Sequence, residues 1–490
     1  MNFLFSSALI LILLAAAHTT VEAAVNQVFT VNSLQDAHDA NPNDEICADA
    51  SGRCTLRAAI EEANRTPDAD TINFSLPLPA TIDLTLGQLN VDWNLDIVGP
   101  GARQLTVRRS PAAGTGDFGI FYLNGSQPLT AANLSGLTIA NGTGVFGGAV
   151  YVGANDYASL IEVTVKNNTG FAGGGIFNAG NLGINRSTVS GNSVSDPNNA
   201  DGGAIYSQGR LSVVNSTISG NNGANGGAIF NSGALTLDNS TISNNAATRD
   251  GGGVFAADSG SAYARNTILA GNSAGRFGPN TAGVFTTLGN NLIGDGTGGS
   301  GFVHGIQNDI VGNSTAPVDA RLGPLQNNGG PTDTRFPAAG SPAVNAGSNC
   351  VLTGCSSLDR LIQLKFEQRR LNSRAAEGVV DIGAVETNSV PDVASRQLNL
   401  RVVDSTNNNR PLAGAPVSFT TPTGEVRYGF TNPFGYFKMK DLISGEIYII
   451  QIKGKRAGSG VLTLYLDYAA APQLEAAGGF ELRTVDPSPK

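Results

Sequence analysis

The residues of this chain that could carry catalysis are few and far apart. Asp201 and Asp250 each stand directly before a glycine pair, two repeats from one another. At about 4.8 Å per stacked strand they would lie roughly 10 Å apart, near the separation of an inverting acid–base pair. Arg186 and Arg210 lie in the same stretch. With Ca2+ they would suit an elimination reaction on a polysaccharide. A column two residues before each repeat threonine reads Glu162, Arg186, Asn215, Asn239 and Arg265. It is expected to face outward, and with one acid and two bases it offers no carboxylate pair. Lone acids in loops are ordinarily solvated turn residues. The two histidines beyond residue 23, His38 and His304, are distant in sequence. No Ser/His/Asp, phosphate-cradling or metal-ligand spacing occurs. The expectation is therefore a non-catalytic chain with no metal or cofactor, Ca2+ entering only with the lyase alternative.

The elements that must position these residues repeat. A Thr followed by an aliphatic residue recurs at Thr138, Thr164, Thr188, Thr217, Thr241 and Thr267, in steps of 26, 24, 29, 24 and 26 residues. A second motif, Gly-Gly-x-aliphatic-aromatic, keeps the same beat at Gly147–Tyr151, 173–177, 202–206, 226–230 and 251–255. A fixed period of this size means stacked units, each burying its apolar face only against its neighbours. Within 226–250, a β run at Gly226–Phe230, alternation at Leu235-Thr236-Leu237 and alternation at Ser240-Thr241-Ile242 are separated by turn residues. Three short strands and three corners per period predict one rung of a parallel β-helix. Ile139, Val165, Val189, Ile218, Ile242 and Ile268 should line the core. Asn168, Asn192, Asn221 and Asn245 should form a corner ladder, tolerating left-handed backbone and bonding amide to amide up the column.

The opening residues 1–23 read as an export signal, with an apolar run from Ala8 to Ala17 too short to span a bilayer. Removing them takes away Glu22 alone, so the net charge of −9 becomes −8. An acidic chain with few cations is a poor nucleic-acid binder. No later stretch is long and apolar enough to span a membrane. The expected location is secreted or at the cell surface. Four cysteines in such a chain point to disulfides. Three connectivities are open, and the short spacings favour Cys47 with Cys54 and Cys350 with Cys355. Thr55 caps a predicted helix to Asn64 whose apolar face, Leu56, Ala59, Ile60 and Ala63, would cover the open end of the first rung.

Cys54-Thr-Leu-Arg-Ala-Ala-Ile-Glu-Glu-Ala-Asn64, followed by Asp70-Thr-Ile-Asn-Phe74, resembles the CSLREA domain at the start of bacterial secreted β-helix proteins. Thr55 stands where that motif has Ser, and Ala58 where it has Glu. The glycine motifs resemble repeats of the polymorphic outer-membrane protein type, with Thr-Ile-Ser-x-Asn in place of their Phe-x-x-Asn. Leu322-Gly-Pro-Leu-Gln-Asn-Asn-Gly-Gly-Pro331, Gly340–Gly347 and Asp381–Glu386 are similar to the choice-of-anchor Q region that closes the same proteins. The resemblance covers residues 26–387. It implies an all-β, right-handed parallel β-helix, as the rule for parallel crossovers also does, but names no function.

The organisation that follows is an export signal at 1–23, an N-terminal cap at 24–75, the β-helix at 76–345, a C-terminal cap at 346–387 and a linker at 388–395. The charged run of 361–376 reads as solvated. Residues 396–486 change character, with strands such as Leu398–Val403 and Ile447–Ile452 between turn clusters, and predict a small β-sandwich. Thr431–Phe437 and Leu442–Glu446 resemble the carboxypeptidase regulatory-like, prealbumin-like domain, which implies a non-catalytic accessory module. The lone Trp93 is expected to pack at a rung end. The repeats' outer face of Thr, Ser and Asn suits a glycan or a surface protein. A polysaccharide lyase or glycosidase, and a structural surface spacer, are the alternatives.

Overall fold

The computed structural model describes residues 26–353 apart from 43, 66–68 and 126–130, then Cys355, Gln368, 378–387, Thr431 and the strands between 396 and 484. The export signal and most of the charged run 361–376 lie outside the described residues.

Each period is four strands, not three. The rung of 226–250 runs Ile229–Asn231, Ala234–Asp238, Thr241–Ser243 and Ala246–Ala247. Successive rungs pair in parallel throughout and build four long sheets, of nine, ten, ten and six strands in that order. They are called here the aromatic, wide, threonine and short sheets. The chain is thus a parallel β-solenoid. The fourth strand escapes the sequence reading because it is two residues of small or polar type, such as Asn222–Gly223, with no apolar alternation.

Strand alternation sends every second side chain inward. Ile139, Val165, Val189, Ile218 and Ile242 sit directly above one another in the threonine sheet and are buried. Leu182/Ile184, Leu211/Val213 and Leu235/Leu237 do the same in the wide sheet. Ile268 does not belong to the ladder. The register places Leu269 above Ile242 and Ile268 above Thr241. The cause is Thr267, whose hydroxyl donates to the Arg265 carbonyl at 2.8 Å and accepts from the Ser240 N–H at 3.5 Å. It fills the place that Ser216 and Ser240 hold in earlier rungs, so the count slips by one. Ile268 then faces outward, yet stays buried against Ala343 and Ile382.

Asn168, Asn192, Asn221 and Asn245 form a continuous amide column, each Nδ2 donating to the next Oδ1 at 2.9–3.0 Å, on to Asn272 and Asn280. Their backbone is not left-handed. The positive φ falls one residue earlier, on Asn167, Gly191, Gly220, Asn244 and Gly271. These asparagines turn inward to satisfy corner amides, and the residue before each takes the strained dihedral.

At the N-terminal end, Leu56–Ala63 is helical and capped by Thr55, whose Oγ1 accepts from the Ala58 N–H at 3.0 Å. Its apolar face joins the solenoid core, and Arg57 is clasped by Asp36 at 2.7 Å, both side chains buried. Strand Val28–Val31 already pairs with Asp70–Phe74. The disulfides are Cys47–Cys54 and Cys350–Cys355. The second does not lie at the far end. The described residues 330–353, Cys355, Gln368 and 378–386 lie along the side of the solenoid, and Val351 and Val380 pack on Val214. Beyond 396 the strands form two antiparallel sheets.

Candidate functional site

The four residues of the catalytic alternative fall at three different corners. Asp201 and Asp250 share the column between the short and aromatic sheets, with Asn225 between them. Asp201 Oδ1 accepts from the Asn225 N–H at 3.0 Å and its Nδ2 at 2.9 Å, while Asn225 Oδ1 accepts from the Asp250 N–H at 3.3 Å. Asp250 is clasped by the Arg276 guanidinium and accepts the Phe277 N–H. Burial raises the Asp201 carboxyl, against the Asn225 bonds and the nearby Arg249. Arg186 lies at the corner between the wide and threonine sheets, bonded to Glu162 at 2.6 Å. Arg210 opens a strand of the wide sheet, where it is exposed. Both acids are thus engaged in holding adjacent rungs together, and neither faces an arginine of the proposed set.

The column Glu162, Arg186, Asn215, Asn239 and Arg265 does not face outward as expected. Glu162, Arg186, Asn215 and Asn239 adopt positive φ, and Arg186, Asn215, Asn239 and Arg265 are buried. The slip at Thr267 replaces Arg265 in the column by Asn266, whose Nδ2 donates to Asn239 Oδ1 at 3.1 Å. Arg265 instead pairs with Asp238 at 2.9 Å, both buried. His38 pairs with Glu61 at 2.5 Å, and His304 Nδ1 accepts the Val311 N–H at 3.2 Å.

The threonine face is covered as well. Thr188 Oγ1 donates to the Asp333 carbonyl at 2.5 Å and Thr217 Oγ1 to Gln368 Oε1 at 2.6 Å. Thr241 Oγ1 accepts from the Ala384 N–H at 3.1 Å. This hydroxyl column is occupied by the chain's own C-terminal segment, so it is no free surface.

The aromatic sheet carries a further ladder, formed by the last residue of each glycine motif and by Tyr122 one rung before the first. Tyr122, Tyr151, Phe177, Tyr206, Phe230 and Phe255 stack along the outer face with centroids 4.5–5.5 Å apart and planes within 14°. Each ring uses its faces on its neighbours. The stack is therefore a stabilising spine that presents ring edges to solvent rather than platforms for a ligand.

The wide sheet remains. Its outward positions between Ala131 and Tyr263 include Asn133, Ser159, Gly183, Ser212 and Thr236, one per rung. Two tyrosines bracket this strip. Tyr157 is 48 % and Tyr263 38 % exposed, and neither touches another ring among the described residues. They are four rungs apart, about 19 Å at 4.8 Å per rung. Between them Arg210 stands two rungs from Tyr157. Among the described residues Arg210 forms no ion pair, as Arg65, Arg109, Arg249, Arg321 and Arg335 also do not, and of these it alone stands on the wide sheet. Tyr ring faces, hydroxyls and a free cation on a flat surface can stack on sugar rings, bond their hydroxyls and pair with a carboxylate.

For a metal, Asp39, Asp44 and Glu62 bring carboxylate oxygens within 4.8 Å of one another in the N-terminal cap. The loop already uses these groups: Asp39 accepts the Asn41 and Ala48 N–H, and Asp44 accepts from Asn41 Nδ2 and the Ile46 N–H. Trp93 is half-buried.

No family model matches the sequence, and no curated protein matches it. Among solved structures, the crystal structure of pectate lyase Pel9A is similar over 74 % of this chain and 97 % of that one, with 15 % identity and a TM-score of 0.44. An identity of 15 % carries no activity from one chain to the other. No helix among the described residues is long and apolar enough to cross a membrane.

Proposed function

We propose that this chain is an exported, non-catalytic β-helix scaffold that binds an extended glycan along the open face of its wide sheet, at or near the cell surface. The observation that carries the reading is the strip bracketed by Tyr157 and Tyr263, with the unpaired Arg210 between them. Arg210 is the one formal charge on the outward positions of the strip's first and third columns between Ala131 and Tyr263. It favours sugars bearing carboxylates over neutral ones. The engagement of Asp201 and Asp250 with Asn225 and Arg276 supports the absence of turnover. Two disulfides agree with an oxidising location. The antiparallel sheets beyond residue 396, with their likeness to the prealbumin-like domain, fit an accessory module. The CSLREA and choice-of-anchor Q resemblances of the sequence support an exported β-helix protein and name no ligand.

The test is to screen the protein against polyuronates and neutral glycans, with and without Ca2+, for binding and for new reducing or unsaturated ends. Binding of polyuronates without turnover, weakened at least tenfold by Arg210→Ala and by Tyr157→Ala, is expected. Turnover that disappears in Asp201→Asn or Asp250→Asn would overturn the reading in favour of a lyase or glycosidase. Neither binding nor turnover would favour a surface spacer.

A further inference from the structure

A solenoid's rungs touch only their neighbours, so its stability is a sum of local terms and its ends fray rung by rung. The described part of 330–386 breaks that rule. It meets Arg103, which donates to the Gly330 carbonyl and pairs with Asp333. It also meets Asn290, which donates to the Ala346 carbonyl at 2.9 Å. Those two points sit near the ends of a run of rungs from Thr106 to Leu292. Seven steps at about 4.8 Å make that roughly 34 Å of the axis.

Gln368 is the centre of the attachment. Its side chain is fully buried. Nε2 lies within bonding distance of the Ser187 carbonyl (2.9 Å), Thr188 Oγ1 (3.0 Å), Thr332 Oγ1 (3.0 Å) and the Asp333 carbonyl (3.2 Å). Oε1 accepts from Thr217 Oγ1 on the next rung, and its backbone N–H donates to the Ala384 carbonyl at 2.8 Å. One residue therefore ties two rungs to two separate parts of the segment. One rung beyond Thr217, Thr241 takes the Ala384 N–H. One further on, Asn266 binds the Ser348 N–H at 2.8 Å and the Gly383 N–H at 2.7 Å.

We propose that this flank segment is a longitudinal clamp that makes the rungs from Thr188 to Leu292 open as a single unit, with Gln368 as the residue that closes it. Opening any one of these rungs breaks its own bonds to the segment and so loosens the segment's hold on the others. The unit of local unfolding becomes the clamp together with the rungs beneath it.

Hydrogen–deuterium exchange on the full chain tests this, comparing the wild type with Gln368→Leu and Thr241→Val. In the wild type, peptides covering Thr188–Ser190, Thr217–Ser219, Thr241–Ser243 and Thr334–Pro337 should exchange at a common rate. In Gln368→Leu all four should exchange at least tenfold faster, including Thr241–Ser243, which Gln368 does not touch. The rung of Thr164–Lys166 should be unchanged. Acceleration confined to Ser187–Thr188, Thr217 and Thr332–Asp333 would overturn the proposal and leave Gln368 a local contact. Thr241→Val removes only the acceptor for Ala384. It should accelerate exchange at Thr334–Pro337, and decides the matter if Gln368→Leu does not fold. No effect there would equally overturn the clamp.

Discussion

The amide column offers the sharpest test of how the corners are held. Replacing Asn221 with Leu keeps the branched outline and deletes four hydrogen bonds. Nδ2 loses the Val189 carbonyl at 3.0 Å and Asn245 Oδ1 at 2.9 Å, and Oδ1 loses the Asn192 N–H and Nδ2, both at 2.9 Å. A neutral bond contributes about 1 kcal/mol net, and a buried donor left without an acceptor costs about 1–3 kcal/mol. Asn192 Nδ2 still reaches the Val165 carbonyl, so the orphan that matters is the Asn192 N–H. The added apolar area offsets about 1 kcal/mol or so. The balance is a loss of about 4–6 kcal/mol. Thr217→Val is the matched control: it removes one bond, to Gln368, and should cost about 1–2 kcal/mol. Urea unfolding of both variants followed by circular dichroism gives the comparison. A loss below about 1 kcal/mol for Asn221→Leu, or equal losses for both, would refute the view that the column is a cooperative hydrogen-bonded element.

Ile218→Asp should abolish folding of the central rungs. Ile218 is buried between Val189 and Ile242, its burial contributes about 2 kcal/mol, and an unpaired carboxylate in its place adds more; wild-type melting behaviour would contradict this. Burial raises the Asp309 carboxyl, against bonds from Thr287 and Asn291. A carboxyl whose folded pKa is raised stabilises the fold most below its unfolded value, and that contribution is lost as pH rises through the folded value. Asp309→Asn should therefore raise the Tm relative to wild type more at pH 7 than at pH 4, and a larger gain at pH 4 would reverse the sign of the argument. Non-reducing peptide mapping of the purified protein should recover Cys47–Cys54 and Cys350–Cys355 and no crossed pair. Replacing either pair by Ser should cost about 2 kcal/mol, the entropy of a short loop.

The solenoid was legible because its signal is repeated. Val189, Ile218 and Ile242 are each ambiguous alone, but together they fix a period, a face and a stacking register. Ile268 shows where that logic fails. A Thr–Ile pair looks the same whether Thr faces out, as Thr241 does, or turns into the serine column, as Thr267 does, and only the neighbouring rung decides. The covering of Thr188, Thr217 and Thr241 was hidden for a different reason. Gln368 is 151 residues from Thr217 and belongs to no repeat, so nothing local marks it as a partner. That also overturned the outward reading of Arg186, Asn215 and Asn239. The candidate site was legible only in part. Arg210 was singled out as a catalytic cation, whereas its lack of an ion partner, which gives it a different meaning, depends on which carboxylates other arginines had already taken.

The rung from Thr188 to Thr217 is five residues longer than its neighbours on either side, which span 24 each. The excess is absorbed entirely at one corner, where Asn199 and Ala200 both return to the Asp196 carbonyl in a tight turn. The paired residues Thr188, Thr217 and Thr241 keep their alignment across it. The corner between the short and aromatic sheets is thus a place where the chain gains or sheds length without disturbing any ladder. A loop grafted there would project sideways from a rigid stem at a height set by the rung chosen. Evolution or a designer could use the same column to vary what this rod displays while leaving the rod itself untouched.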